Sequence, residues 1–126
     1  MKKKYLYNQK NKEELIEILE NEKFKRITVS FYKYVELNNL ENLRDDLFIS
    51  WNKLNILGRV YIAKEGINAQ ISIPKKSFKL FEDEINKIDF LKNIKIKIAF
   101  IEGMSFLKLA VKVKKEIVAY GLNEDD

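Results

Sequence analysis

"GRVYIAKEGINAQISIP", residues 58 to 74, decides how this chain folds. Two alternating runs flank a short polar interruption, which is the pattern of a β-hairpin. In the second run Ile67, Ala69, Ile71 and Ile73 fall on one side, and Asn68, Gln70 and Ser72 on the other. In the first, Val60 and Ile62 alternate with Arg59, Tyr61 and Ala63. Lys64, Glu65 and Gly66 are expected to form a three-residue loop with a bulge, Gly66 supplying the positive φ that such a loop requires. The polar side of the second strand carries amides and a hydroxyl rather than charge, bordered by Arg59, Tyr61 and Lys64.

Upstream, "RITVSFYKYV" (residues 26 to 35) alternates in the same way. Ile27, Val29 and Phe31 face one side; Thr28, Ser30, Tyr32 and Tyr34 face the other. Between this strand and the hairpin, Leu43, Leu47, Trp51 and Leu54 recur at helical spacing, so a helix with one buried face is predicted, Trp51 lying in the core. Asn38 and Glu41 have the spacing of a capping box at its start. Downstream, Pro74 stops the second hairpin strand, and Phe78, Phe81, Ile85 and Ile88 mark another helix. "NIKIKIAF" (93 to 100) reads as a strand with Ile94, Ile96, Ile98 and Phe100 on one side. After a turn at Glu102 and Gly103, Leu107, Leu109, Val111 and Val113 alternate with lysines and Ala110, and a short strand is expected over 117 to 119. At the start, Asn11 and Glu14 predict a capped helix over 11 to 23, whose stripe of Leu15, Ile18 and Leu19 should pack on the edge of the main domain.

The core order is strand, helix, strand, strand, helix, strand. This predicts an α+β fold of ferredoxin-like or acylphosphatase-like type, a split βαβ sandwich with an antiparallel sheet and its helices on one face. An extra N-terminal helix and C-terminal strand complete it.

Composition limits the chemistry. The 126 residues are one domain's worth, and they contain neither Cys nor His. Disulfides, thiol nucleophiles, imidazole bases and ordinary zinc sites are therefore excluded for this chain. Its net charge of +5 and pI near 9.2 lean towards an anionic partner. No apolar run approaches the roughly 20 residues that span a bilayer. The basic start lacks the apolar stretch of a signal peptide, so a cytoplasmic location without membrane contact is expected.

If the isoleucine-rich strand faces meet the helices, the opposite face stays open. It would carry Thr28, Ser30, Tyr32, Tyr34, Arg59, Tyr61, Asn68, Gln70, Ser72, Lys95, Lys97, Lys108 and Lys112. Aromatics, amides and cations on a sheet are what single-stranded RNA recognition uses. The same face also suits docking of another domain, or simple solvation. An acyl-phosphate hydrolase is a weaker reading. The loop after the first strand, "VELNNL", has neither an arginine nor a glycine-rich phosphate cradle, and Asn68 alone is no site. Glu36 and Glu65 are loop carboxylates with no evident partner in the sequence.

The blocks "RITVSFYKYV", "LRDDLFISWNKLNILGRVYIAKEGINAQISIP" and "SFLKLAVKVKKEIVAYGL" together resemble the N-terminal domain of the bacterial tRNA uridine(34) hydroxylase family, from Arg26 to Leu122. The chain departs from the family pattern at Met104, before Ser105 and Phe106, and at Tyr120, before Gly121. The resemblance implies an acylphosphatase-like domain over 26–122, a helical extension over 1–25, and at 123–126 the start of a linker to a rhodanese domain that carries the family's cysteine. It also implies that the full-length protein is an oxidoreductase that hydroxylates the wobble uridine of tRNA with molecular oxygen, giving 5-hydroxyuridine. This chain is then expected to be inactive by itself, with no catalytic residue, metal ligand or cofactor, its partners being tRNA and the rhodanese domain. The RNA-binding candidates are Tyr32, Lys33, Tyr34, Arg59, Tyr61, Lys64, Asn68, Gln70 and Lys112. Arg59 and Lys64 would contact phosphate, Tyr32 and Tyr34 would stack on a base, and Asn68 and Gln70 would read base edges or hold the hairpin.

Overall fold

The fold comes from a computed structural model, which describes residues 11–20, 25–99 and 108–117. The expected continuation of the first helix to residue 23, the turn at Glu102 and Gly103, and the chain on either side of 108–117 lie outside these residues. The elements are α1 (Lys12–Glu20), β1 (Arg26–Tyr34), α2 (Leu40–Lys53), β2 (Leu57–Ala63), β3 (Gly66–Pro74), α3 (Phe78–Asn86), β4 (Lys97–Ala99) and β5 (Leu109–Val113). Single 3-10 turns at Lys75–Ser77 and Asp89–Leu91 flank α3.

The strands form one five-stranded sheet in the order β4-β1-β3-β2-β5. β3 lies antiparallel between β1 and β2, and β4 is antiparallel to β1. The two strand-helix-strand units therefore interleave, which is the split βαβ arrangement anticipated from the order of elements. β5 adds on the far side of β2 and runs parallel to it.

Strand parity makes the core. Val29, Phe31, Val60, Ile62, Ile67, Ala69, Ile71, Ile73, Leu109 and Val111 are buried, and Leu47 and Trp51 of α2 and Phe81 and Ile85 of α3 close over them. Each such large side chain contributes about 1.5–3 kcal/mol on burial. Trp51 is 0% exposed and sits edge-on between Phe31 of β1 (6.4 Å) and Phe81 of α3 (5.5 Å), so one indole ties the sheet to both helices. Arg44 of α2 reaches over the outer border of β5, where its Nε donates to the Val111 carbonyl at 2.9 Å and its guanidinium lies over Phe48.

Local details depart from the sequence reading in four places. The hairpin turn holds two residues, Lys64 and Glu65, because Ala63 pairs directly with Gly66. Gly66 does take the expected positive φ (+151°), and it also lies against β1, where a Cβ would collide with the Lys33 carbonyl. α2 has no capping box from Asn38. It starts from Asn39 in the left-handed region (φ 51°), because Leu37 is drawn into the core and its N–H bonds the Lys64 carbonyl at 2.9 Å. β4 is only three residues long: Ile94 and Ile96 pack against the core without joining the ladder, so alternation outlasts hydrogen bonding there. The stripe on α1 is not covered throughout, since Ile18 is 48% exposed. The α1 capping box does form, with Glu14 N–H donating to Asn11 Oδ1 (2.8 Å) and Asn11 N–H to Glu14 Oε1 (3.1 Å).

Candidate nucleic-acid interface

Register places the polar strand residues in rows across the face opposite α2 and α3. Lys97, Ser30, Gln70, Arg59 and Ala110 are cross-strand neighbours in sequence from β4 to β5. The adjacent row is Tyr32, Asn68, Tyr61 and Lys112. Cross-strand partners share a face, so seven of the expected residues converge on one surface: Tyr32, Tyr34, Arg59, Tyr61, Asn68, Gln70 and Lys112. Lys64 stands at the hairpin tip beyond the Tyr34–Gly66–Ala63 row.

Lys33 does not join them. Its parity puts it on the helix side, where Nζ donates to the Phe90 carbonyl at 2.9 Å. It anchors the 3-10 turn after α3 to β1.

The face is less evenly displayed than its sequence implies. Tyr32 and Tyr34 are 44% and 57% exposed and meet edge to face at 6.0 Å. Asn68, between Tyr32 and Tyr61 in its row, is only 5% exposed, and Ser72 is buried as well. Gln70 accepts a hydrogen bond from Arg59 Nη2 at 2.5 Å, so these two outward groups orient each other. The uncharged side chains of β3 thus form a recessed floor, and the exposed tyrosines and cations of the neighbouring strands form the rim.

Sequence reasoning missed one cation here. Lys114, just past β5, places its ammonium 4.9 Å from the centre of the Tyr61 ring, a cation–π contact. Its parity with Lys112 was the available signal. Lys97 also belongs to this surface through its pairing with Ser30.

Glu65 has a partner that the sequence did not reveal: its Oε2 accepts the Ile117 N–H at 2.7 Å. The loop after β1 is occupied too, its Val35 and Leu37 N–H groups donating to the Glu65 and Lys64 carbonyls. These N–H groups are spent on the hairpin tip, so they cannot form the phosphate cradle that an acyl-phosphate hydrolase would need there. Among the described residues no cluster of three or more His, Cys, Asp or Glu could hold a metal ion, and no helix is long and apolar enough to cross a membrane.

A split βαβ sandwich with one helix-covered face and one polar, cation-rimmed face is the class of domain that this geometry defines. Residues 26–117 match the family model of the UPF0176 acylphosphatase-like domain, and the chain belongs to that family. It is 49% identical over 125 residues to the tRNA uridine(34) hydroxylase of Leptospira interrogans serovar Lai, covering 98% of this chain and 34% of that protein. It is 42% identical over 120 residues to the tRNA uridine(34) hydroxylase of Buchnera aphidicola (strain APS), covering 94% and 37% respectively. The chain thus spans about a third of the length of these relatives. Among solved structures, the BlrP1 BLUF chain superposes with a TM-score of 0.51 at 10% identity, over 75% of this chain and 67% of that one. At that identity the likeness concerns the fold alone.

Proposed function

We propose that this chain is the tRNA-placing domain of a tRNA uridine(34) hydroxylase, contributing position rather than chemistry. The observation that carries the reading is the pair of cross-strand rows, in which tyrosines and cations from four strands share one surface. Arg59, Lys64 and Lys112 supply positive charge for phosphates, and Tyr32 and Tyr34 supply rings for unstacked bases. Oxygen-dependent hydroxylation belongs to the remainder of the longer protein, in which a rhodanese domain follows. This chain, without Cys or His, offers neither a thiol nor an imidazole to that chemistry.

A purely structural role, bracing the rest of the protein through the same face, is the competing reading. The edge-to-face Tyr32–Tyr34 pair, an exposed aromatic patch at one corner, favours it. Binding of tRNA to the isolated chain, measured between about 50 and 200 mM salt, separates the two. Placement predicts binding that weakens steeply with salt, with a shallower salt slope in an Arg59→Ala/Lys64→Ala protein. No binding at the lowest salt would overturn it in favour of bracing. Acyl-phosphate hydrolysis is expected to stay at background.

A further inference from the structure

β1 has an edge that its neighbour does not finish. At the two ends of the β1–β3 ladder, Val35 N–H donates to the Glu65 carbonyl and Lys75 N–H to the Lys25 carbonyl. These bonds fix the odd-numbered residues of β1 as those whose main chain faces β3. Alternate residues of an antiparallel strand address opposite neighbours, so Thr28, Ser30, Tyr32 and Tyr34 address the β4 side. β4 takes up Thr28 and Ser30 through Ala99 and Lys97, and there the ladder ends. Tyr32 and Tyr34 have no ladder partner on that side among the described residues.

Where pairing would continue, the chain at Lys95 and Ile96 diverges and leaves a cleft of about 530 Å³. Its walls include Ser30, Tyr32, Asn68, Lys95 and Lys97. No carboxylate lines it among the described residues, and Lys95 and Lys97 are exposed. The volume lies within the range of small-ligand sites, about 300–1,000 Å³.

We propose that this cleft is a single-nucleotide pocket, in which one unstacked base of an RNA strand lodges at the β1–β4 edge. The inference rests on the RNA-placing reading and adds a specific seat to it. The main-chain N–H and C=O of Tyr32 present a donor and an acceptor side by side, which matches the adjacent acceptor and donor on the Watson–Crick edge of a base. The Tyr32 ring offers a stacking wall, and Lys95 and Lys97 stand where the attached phosphate would lie. An extended peptide would use the same main-chain groups, but two lysines and no carboxylate favour an anion.

The test is an amide-resolved NMR titration of the chain with uridine 5′-monophosphate and, separately, ribose 5-phosphate. The nucleotide is expected to shift the Tyr32 and Lys97 amides and the Asn68 side-chain amide, while ribose 5-phosphate moves only the lysine surroundings. Tyr32→Ala should weaken binding of a short oligouridylate about tenfold, the scale of losing one stacked base. Tyr32→Phe should bind as the parent does, and matching amide spectra would show that both variants are folded. Equal responses to both ligands, or shifts centred on Arg59 and Lys112, would overturn the proposal. So would a peptide adding along Tyr32 and Tyr34 while the nucleotide has no effect. If tRNA binds but the cleft is silent, this seat alone fails; if tRNA does not bind at all, the reading beneath it fails too.

Discussion

The carboxylate of Glu65, at the tip of the β2–β3 hairpin, accepts the backbone N–H of Ile117 at 2.7 Å across 52 positions of sequence. Through this bond the turn between two central strands holds the chain that leaves β5. The same turn receives Val35 and Leu37 through its main-chain carbonyls, so three separate segments meet at two residues.

Removing that acceptor should release the chain after β5. Glu65→Ala is expected to cost about 1–2 kcal/mol, the scale of a charge-assisted hydrogen bond that is partly screened. Hydrogen exchange should show faster opening at Ile117. Glu36→Ala, in an exposed loop position, should stay within about 0.5 kcal/mol. Equal losses in the two proteins would mean that Glu65 holds nothing.

Lys33 and Lys64 should separate structure from recognition. Lys33→Ala removes the donor to the Phe90 carbonyl and should lower the denaturation midpoint while leaving the salt slope of RNA binding unchanged. Lys64→Ala should do the reverse. A shallower slope in the Lys33 protein would place that ammonium on RNA after all.

How far the fold was legible shows in these same residues. Parity along β1, β2 and β3 was readable because one face of each strand is buried, and a slip of one residue would turn every isoleucine to the opposite face. Lys33 is a candidate only by nearness: it sits among the outward tyrosines in sequence, but parity turns it away from them, to the helix side. The expected hairpin turn is one residue too long because the positive φ of Gly66 belongs to a ladder position paired with Ala63, where the Lys33 carbonyl of another strand also leaves no room for a side chain. The bonds from Lys33 to Phe90 and from Glu65 to Ile117 span more than fifty positions, and no local pattern encodes them. The cleft was invisible for a related reason: Ile94 and Ile96 keep the strand alternation after the ladder has ended.

Glycine at 66 and at 58 should be hard to replace. At Gly58, φ +131°, a Cβ would meet Ile71 Cα at 2.7 Å, and at Gly66 it would meet the β1 main chain. Backbone cannot swing aside as a side chain does, so Gly→Ala at either site should destabilise by at least about 2 kcal/mol. Denaturant unfolding checks this, and a neutral Gly66→Ala would show that the hairpin and β1 are not held so closely.

Trp51 offers a contrast between shape and polarity. Its indole N–H is buried with no hydrogen-bond partner among the described residues. Trp51→Ala should cost about 3–5 kcal/mol through the cavity left between Phe31 and Phe81. Trp51→Phe should cost markedly less, because it keeps a ring and removes an unsatisfied donor worth about 1–3 kcal/mol. Equal losses would argue that the N–H is satisfied.

The hold of Arg44 on the Val111 carbonyl reaches beyond a single molecule. A bare strand border is a template on which foreign strands can zip, and fibres grow from such templates. Here a guanidinium rooted in α2 occupies one rung of that template, so an incoming strand must first evict it.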